Sequence, residues 1–175
     1  MSKPELSQAI VCKLLKYDPT TGSLTWRWRD DARPQWNVRY AGKAAGYIWT
    51  PRTGKTRYLV IGIFGWSFRA HRLIWLYMTG AWPSLEIDHA DGDGLNNRWS
   101  NLRQATRAQN VMNSGVRMDN KCGLRGVCFN KFAGRFQARI QVDGKGRFLG
   151  YFDTKEEAHA AYLAAAVEAY GEFAA

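Results

Sequence analysis

The run Glu86-Ile87-Asp88-His89-Ala90-Asp91-Gly92-Asp93-Gly94-Leu95-Asn96-Asn97-Arg98-Trp99-Ser100-Asn101-Leu102-Arg103-Gln104-Ala105-Thr106-Arg107-Ala108-Gln109-Asn110 decides how the rest of the chain is read. Leu85-Glu86-Ile87 reads as a strand ending at Asp88-His89; a loop with Gly92 and Gly94 follows, and Ser100 to Arg103 closes it. Thr106 can cap a short helix reaching Asn113. Four of these residues suit phosphodiester hydrolysis. A histidine such as His89 ordinarily titrates near neutrality, which suits it to deprotonate a water. Asp88 and Asn110 offer hard oxygens to a divalent cation, which stabilises the crowded phosphate and its leaving oxygen. Asn101 can accept from the second imidazole nitrogen and hold the ring in the tautomer that acts as base. Neighbouring strand residues point to opposite faces, so a bend at Asp88-His89 is required.

Competing readings of the run fail on spacing. A calcium loop starting at Asp88 needs a Glu at its twelfth position, where this chain has Trp99. No Gly-Lys-Ser or Gly-Lys-Thr follows the glycines, which excludes a phosphate-binding P-loop. A plain Asp-, Asn- and Gly-rich surface turn would be the preferred reading without Asn101 and Asn110.

Upstream, His71 to Met78 reads as a short helix stopped by Gly80 and Pro83. His71 is a candidate phosphate or DNA contact, although packing at a helix start is the favoured role. Apolar spacing predicts a helix over 6–15, and Asp18 to Gly22 a turn. Leu24 to Arg29 reads as a strand, and 57–63 with 66–70 as a hairpin about Phe64-Gly65. Residues 51–57 form a basic loop. Downstream, Val127-Cys128-Phe129, Arg135–Val142 and Lys145–Phe152 read as three strands, joined through Gly134 and Asp143-Gly144. Thr154 and Glu157 form a capping box for a helix with Ala158, Ala161, Tyr162, Ala165 and Ala169 on one face. Arg135, Gln137 and Arg139 alternate with Phe136, Ala138 and Ile140, so the polar three share one strand face. Such a face can donate to base edges and phosphates.

Composition agrees with a nucleic-acid partner. Of 175 residues, 46 % are hydrophobic, enough to build a core and to exclude a disordered tail. Lys and Arg number 25 against 15 Asp and Glu, a net charge of +10 that favours encounter with polyanions. Three cysteines without a C-x-x-C pair argue against a disulfide framework and against structural zinc, and point to a reducing, cytoplasmic setting. Met1 to Glu5 lacks the apolar stretch of a signal peptide, and no run is long enough to span a bilayer.

The run from Glu86 to Asn110, with Ala70-His71-Arg72-Leu73-Ile74-Trp75 before it, resembles the HNH nuclease motif of phage and intron-encoded homing endonucleases. The resemblance implies two antiparallel strands and a helix around one divalent metal. It implies Asp88 and Asn110 as metal ligands, His89 as general base and Asn101 as the residue that orients it. Many members carry a second His where Asn110 stands; the Asn form belongs to the homing branch. From Gly123 to Gly171 the chain resembles the AP2 DNA-binding domain, through Leu124-Arg125-Gly126-Val127, Gly134 to Ile140, Phe148 to Thr154 and Glu156 to Tyr162. Phe136 and Phe148 stand where that family usually has Trp. This second likeness implies DNA contacts from the sheet, with Arg125, Arg135, Gln137, Arg139, Lys145 and Arg147 as candidates.

The expectation is an α+β chain in four parts: an N-terminal region (1–69) packing on the nuclease, an HNH domain (70–113), a linker (114–121) and an AP2-like domain (122–175). Its expected function is metal-dependent DNA cleavage of the homing type, with one Mg²⁺ or Mn²⁺ per active site. Double-stranded DNA is the expected partner, the chain acting as a monomer or weak dimer in a host bacterial cytoplasm if phage-encoded. The alternative is a DNA-binding regulator with a vestigial HNH fold.

Overall fold

The computed structural model describes residues 5–52, 56–116 and 119–174. Part of the basic loop (Thr53 to Lys55) and part of the expected linker (Arg117, Met118) lie outside the described residues. The chain divides into two packing units, Met1–Gln104 and Ala105–Ala175.

In the N-terminal unit, helix α1 (Gln8–Leu14) starts where the Ser7 side chain accepts from the Ile10 amide, and runs directly into strand β1 (Leu15–Asp18). β1 pairs antiparallel with β2 (Ser23–Trp26). The expected helix over 6–15 is therefore shorter at both ends. Between the strands, Asp18 accepts from the Thr20 amide, and Gly22 adopts φ +77°. A Cβ on Gly22 would stand 2.6 Å from the Arg98 nitrogen, so only glycine allows the turn to lie against that peptide. Helix α2 (Pro34–Tyr40) opens on a proline and has only Asn37 buried. Both ends of the Asn37 amide bond the Arg29 backbone, at 3.0 and 2.7 Å. With no apolar stripe, α2 left no periodic signal in the sequence.

Strands β3 (Tyr47–Trp49), β4 (Tyr58–Ile63) and β5 (Trp66–Arg69) form an antiparallel sheet in that order. The β4–β5 turn has Phe64 at φ 53° and Gly65 at φ 79°, the two positive values of the tight hairpin expected there. Helix α3 (Ala70–Thr79) follows β5 without a break and ends at Gly80 in the left-handed conformation. Leu73, Ile74 and Leu76 of α3 join Leu6, Val11, Leu15 and Ile61 as the most deeply buried side chains of the unit's core. Strand β6 (Glu86–His89) then pairs with β7 (Leu102–Ala105).

The C-terminal unit begins with helix α4 (Arg107–Asn113), which has Thr106 and Gln109 in a reciprocal capping box. Strands β8 (Val127–Asn130), β9 (Arg135–Val142) and β10 (Lys145–Phe152) form an antiparallel sheet with β9 central. Asp143 (φ 50°) and Gly144 (φ 76°) make its tight turn. Helix α5 (Lys155–Tyr170), capped by Thr154 and Glu157, packs on the sheet through Ala158, Tyr162, Ala165 and Ala166. Ala169, expected on that stripe, is exposed; Ala166 takes its place.

α4 ends the 70–113 stretch in sequence yet packs in the C-terminal unit. Met112, its one buried residue, sits with Ile140, Tyr162, Ala165 and Ala166. The Arg125 guanidinium donates to the carbonyls of Val111, Met112 and Ser114, covering the helix end. The packing division therefore falls at 104/105 instead of within 114–121.

Candidate active site

β6 delivers Asp88 and His89 side by side into the interior of the N-terminal unit; both are buried. The strand includes both residues and ends at His89, with a turn at Ala90. The two side chains meet different neighbours. Asp88 Oδ2 accepts from Arg103 Nε at 2.9 Å, from strand β7. This bond is buried and charge-assisted. His89 lies in a cluster of rings, 5.1 Å from His71 and 6.2 Å from Tyr58, while Tyr58 and His71 are 5.6 Å apart.

The ring of His89 is 5 % exposed, and burial is the main cause of its lowered pKa; the Asn97 hydrogen bond and the carboxylates of Asp91, Asp88 and Asp93 only partly oppose it. His89 is therefore neutral at pH 7, the form a proton acceptor needs. His71 is driven down further, to about 3, by burial first and then by His89, Arg69 and Arg72. His71 packs at the start of α3 with its ring enclosed, which fits the favoured packing role.

Asn101 does not hold the imidazole. Its amide nitrogen donates to Asp91 Oδ1 (2.9 Å) and to the Asn96 carbonyl (2.8 Å), and its oxygen accepts from the Asp91 amide (3.1 Å). Both amide protons are spent on the loop 91–96, which Asn101 pins to the start of β7. Burial raises the Asp91 carboxyl, but the bonds from Asn96, Asn101 and the Asp93 amide outweigh it and leave the pKa low. The residue at the imidazole is Asn97: its Oδ1 lies 3.4 Å from His89 Nε2. Asn97 Nδ2 donates to the Leu95 carbonyl at 3.2 Å, which orients the amide so that oxygen faces the ring. An oxygen there accepts from Nε2–H and leaves Nδ1 as the unprotonated nitrogen. The sequence held this signal in the pair Asn96-Asn97, but spacing alone did not separate Asn97 from Asn101.

The N-terminal hairpin holds Asn97 from behind. The Tyr17 hydroxyl donates to the Asn97 carbonyl at 2.8 Å, Arg98 Nε to the Thr20 carbonyl at 3.1 Å, and the Trp99 amide to the Pro19 carbonyl at 3.1 Å. Burial first, then the Asp18 charge, pushes the Tyr17 phenol up to about 12, so it remains a donor at any working pH. Residues 15–26, expected only to pack on the nuclease as part of the N-terminal region, thus contact Asn97–Trp99 through these hydrogen bonds.

Asn110, expected as second metal ligand, lies on α4 in the C-terminal unit. Among the described residues, no three of His, Cys, Asp and Glu gather to hold a metal. The expected donor set contains a single carboxylate, however, and hard oxygen donors of that kind suit Mg²⁺ or Mn²⁺. Asp88, a buried carboxylate, fits such an ion.

The C-terminal candidates separate into three groups. Arg135, Gln137 and Arg139 share the outer face of β9, as alternation predicts, while Ala138 and Ile140 enter the core. Cys128, Asn130 and Tyr151 stand on the same face through the strand register, and Arg139 lies over the exposed Phe148 ring at 5.9 Å. Arg135 is also paired with Asp153 at 2.8 Å. Arg147 and Lys145 are register partners of Ile140 and Val142, so they share the helix side of the sheet; Arg147 lies 3.7 Å from Glu168 of α5. Arg125 is spent on the end of α4. Phe148, which stands where the AP2 family usually has Trp, is half exposed on the outer face.

No helix among the described residues is long and apolar enough to cross a membrane. Residues 68–112 match the family model described as HNH endonuclease. An uncharacterized HNH endonuclease of Acanthamoeba polyphaga mimivirus is 36 % identical over 124 residues, covering 70 % of this chain and 63 % of the relative. Protein 3.8 of Escherichia phage T7 is 32 % identical over 78 residues, covering 44 % of this chain and 64 % of that protein. The chain thus spans just under two thirds of the length of each. A solved structure of DNA binding and cleavage by the HNH homing endonuclease I-HmuI is similar at 20 % identity and a TM-score of 0.39, over 89 % of this chain and 76 % of that one, too loosely to carry an argument. Residues 68–112 are thus similar to the HNH endonuclease family, and Asp88, His89, Asn101 and Asn110 all fall within the matched stretch.

Proposed function

We propose that the chain is a metal-dependent DNA endonuclease of the homing type, in which the HNH segment cuts and the C-terminal unit, read as AP2-like, holds a chosen site. The observation that carries this reading is the His89 imidazole inside the matched HNH segment: buried, with a lowered pKa, and with Asn97 Oδ1 3.4 Å from Nε2, an arrangement that favours the tautomer with Nδ1 unprotonated. In the reaction, Nδ1 takes a proton from a water as its oxygen attacks phosphorus. The bond from phosphorus to the 3′-oxygen breaks, and that oxygen leaves with the electron pair and is protonated from solvent. A divalent cation held by Asp88, with Asn110 as the motif's other oxygen donor, would supply Lewis-acid stabilisation of the phosphate charge. Arg103 Nε holds Asp88 Oδ2 at 2.9 Å. Asn101 keeps the loop after His89 in one shape.

For DNA holding, the outer face of β9 is the favoured surface, with Arg139 and Gln137 as base or phosphate donors and Arg135 beside them. Lys145 and Arg147 add to the field of the unit from the other side of the sheet. One active site per chain cuts one strand, so a monomer nicks. The test is incubation of supercoiled plasmid with the protein and Mg²⁺ or Mn²⁺, with EDTA and His89→Ala as controls. Nicking that both controls abolish is the expected result. Absence of cleavage on every DNA tried, with binding retained, would leave a regulator built on an inactive HNH fold.

A further inference from the structure

The β3–β4–β5 sheet has one face in the core and a second face exposed at its edge strands. Register puts Tyr47, Trp49, Tyr58, Val60 and Arg69 on the second side, where Val60 is buried and Tyr58 half-buried; Ile61, Ile63 and Phe68 go to the core. Tyr47, Trp49 and Arg69 are exposed. The Arg69 guanidinium carbon lies 4.4 Å from the centre of the Tyr58 ring and 5.5 Å from that of Trp49. Two aromatic faces therefore hold the guanidinium, which reduces the entropy lost when it grips an anion. Tyr58 is also the ring that reaches His89 and His71. The loop after His89 lies against the same strand: a Cβ on Gly94 would stand 2.4 Å from the Arg57 carbonyl oxygen and 2.8 Å from the Tyr58 ring. One ring separates guanidinium from imidazole, a span of a few nucleotides at about 3.4 Å of rise each.

We propose that this face carries the DNA strand beside the cut, with Arg69 gripping a backbone phosphate and Trp49 and Tyr47 packing on sugars or bases. The inference rests on the nuclease reading for its position and adds a second DNA surface, in the N-terminal unit. Its chemistry favours DNA over an apolar protein partner because the centre of the face is a fixed cation flanked by rings, the combination that tracks a polyanion with stackable bases.

The test measures DNA affinity as a function of salt, in EDTA so that nothing is cut, for the parent, Arg69→Ala, Trp49→Ala and Lys16→Ala. Lys16 is exposed on β1, and its loss changes net charge equally. Arg69→Ala should lower the slope of log affinity against log salt by about 1, the loss of one phosphate contact. Trp49→Ala should weaken binding with the slope unchanged. Lys16→Ala should do neither. Equal slopes for Arg69→Ala and Lys16→Ala would overturn the proposal, as would full affinity in Trp49→Ala for its aromatic part. Failure of the nuclease reading is seen separately, as absence of nicking in Mg²⁺ by a parent whose salt slopes behave as described.

Discussion

In the N-terminal unit, Asp88 and His89 are enclosed, and each is fixed by a neighbour from another element: Arg103 on β7, Asn97 in the loop, His71 on α3. In the C-terminal unit, Arg135, Gln137 and Arg139 stand on an open strand face, and the one ion pair among them, Arg135 with Asp153, is solvent-exposed. Both regions present polar side chains from a β-strand. Burial separates what they can do. Enclosure removes water, lowers a histidine pKa and lets single hydrogen bonds set a tautomer, which chemistry needs. Exposure keeps donors hydrated and rotatable, which suits reading a partner that brings its own acceptors. Enclosed residues should therefore govern rate and folding, and exposed ones affinity.

The largest expected effect is at the enclosed base. His89→Ala should reduce nicking by about 100- to 10,000-fold with little change in DNA affinity, the range general-base catalysis contributes. A gel shift that weakened in proportion to activity would erase the distinction between the two regions. Next is acid sensitivity. His71 has a folded pKa of about 3 against 6.5 when unfolded, so the unfolded chain binds the extra proton between those values. Its contribution to stability is complete above pH 6.5 and falls as the pH drops toward 3, by about 2 kcal/mol at pH 5. Burial moves His89 in the same direction. Thermal unfolding of the parent and His71→Phe at pH 7 and pH 5 checks this: the substitution should flatten the pH dependence, and an unchanged dependence would show that His71 does not titrate as an enclosed group.

Asn97→Ala should lower the turnover number by roughly tenfold, a fraction of what a positioned base contributes, while KM stays near the parent's. The ¹⁵N shifts of His89 should report loss of the single tautomer. A tautomer unchanged in the variant would return the orienting role to some other group. The smallest effect is at the open face: Arg139→Ala should cost about 1 kcal/mol of DNA affinity, the low end for a base contact, with nicking at saturating DNA unchanged. A loss of turnover there would mean that the two regions do not divide rate from affinity.

Much of the fold was legible wherever one physical rule acted locally. The Phe64-Gly65 and Asp143-Gly144 hairpins follow from turn chemistry, and α4 and α5 from their caps. β3 escaped because Tyr47, Ile48 and Trp49 are all exposed, which leaves no alternation to read. β1 was absorbed into α1 because Leu14-Leu15 continues an apolar pattern, although Leu15 is already extended. At the site, residue identity and spacing picked out Asp88 and His89, but the partners were partly misread. Asn101 and Asn97 are the same residue type four positions apart in one loop, and only the folded loop directs one to Asp91 and the other to the imidazole. Likewise, Arg125, Lys145 and Arg147 count as cations in any sequence reading. Register and a helix end remove Arg125 from the outer face and turn the other two toward α5.

By itself, the sequence determined the chemistry on offer: a basic, aromatic-rich α+β chain with an HNH segment and an alternating Arg-Gln-Arg strand. Those features depend on residue type, periodicity and short-range turns. Tertiary structure alone decided which groups are enclosed, which asparagine meets the histidine, why an N-terminal hairpin lies behind it, and that α4 packs with the C-terminal sheet. The reason is that burial and hydrogen-bond partnership are set by segments distant in the chain, such as Tyr17 and Asn97, and no local pattern encodes which of several equivalent donors or acceptors such a segment will reach.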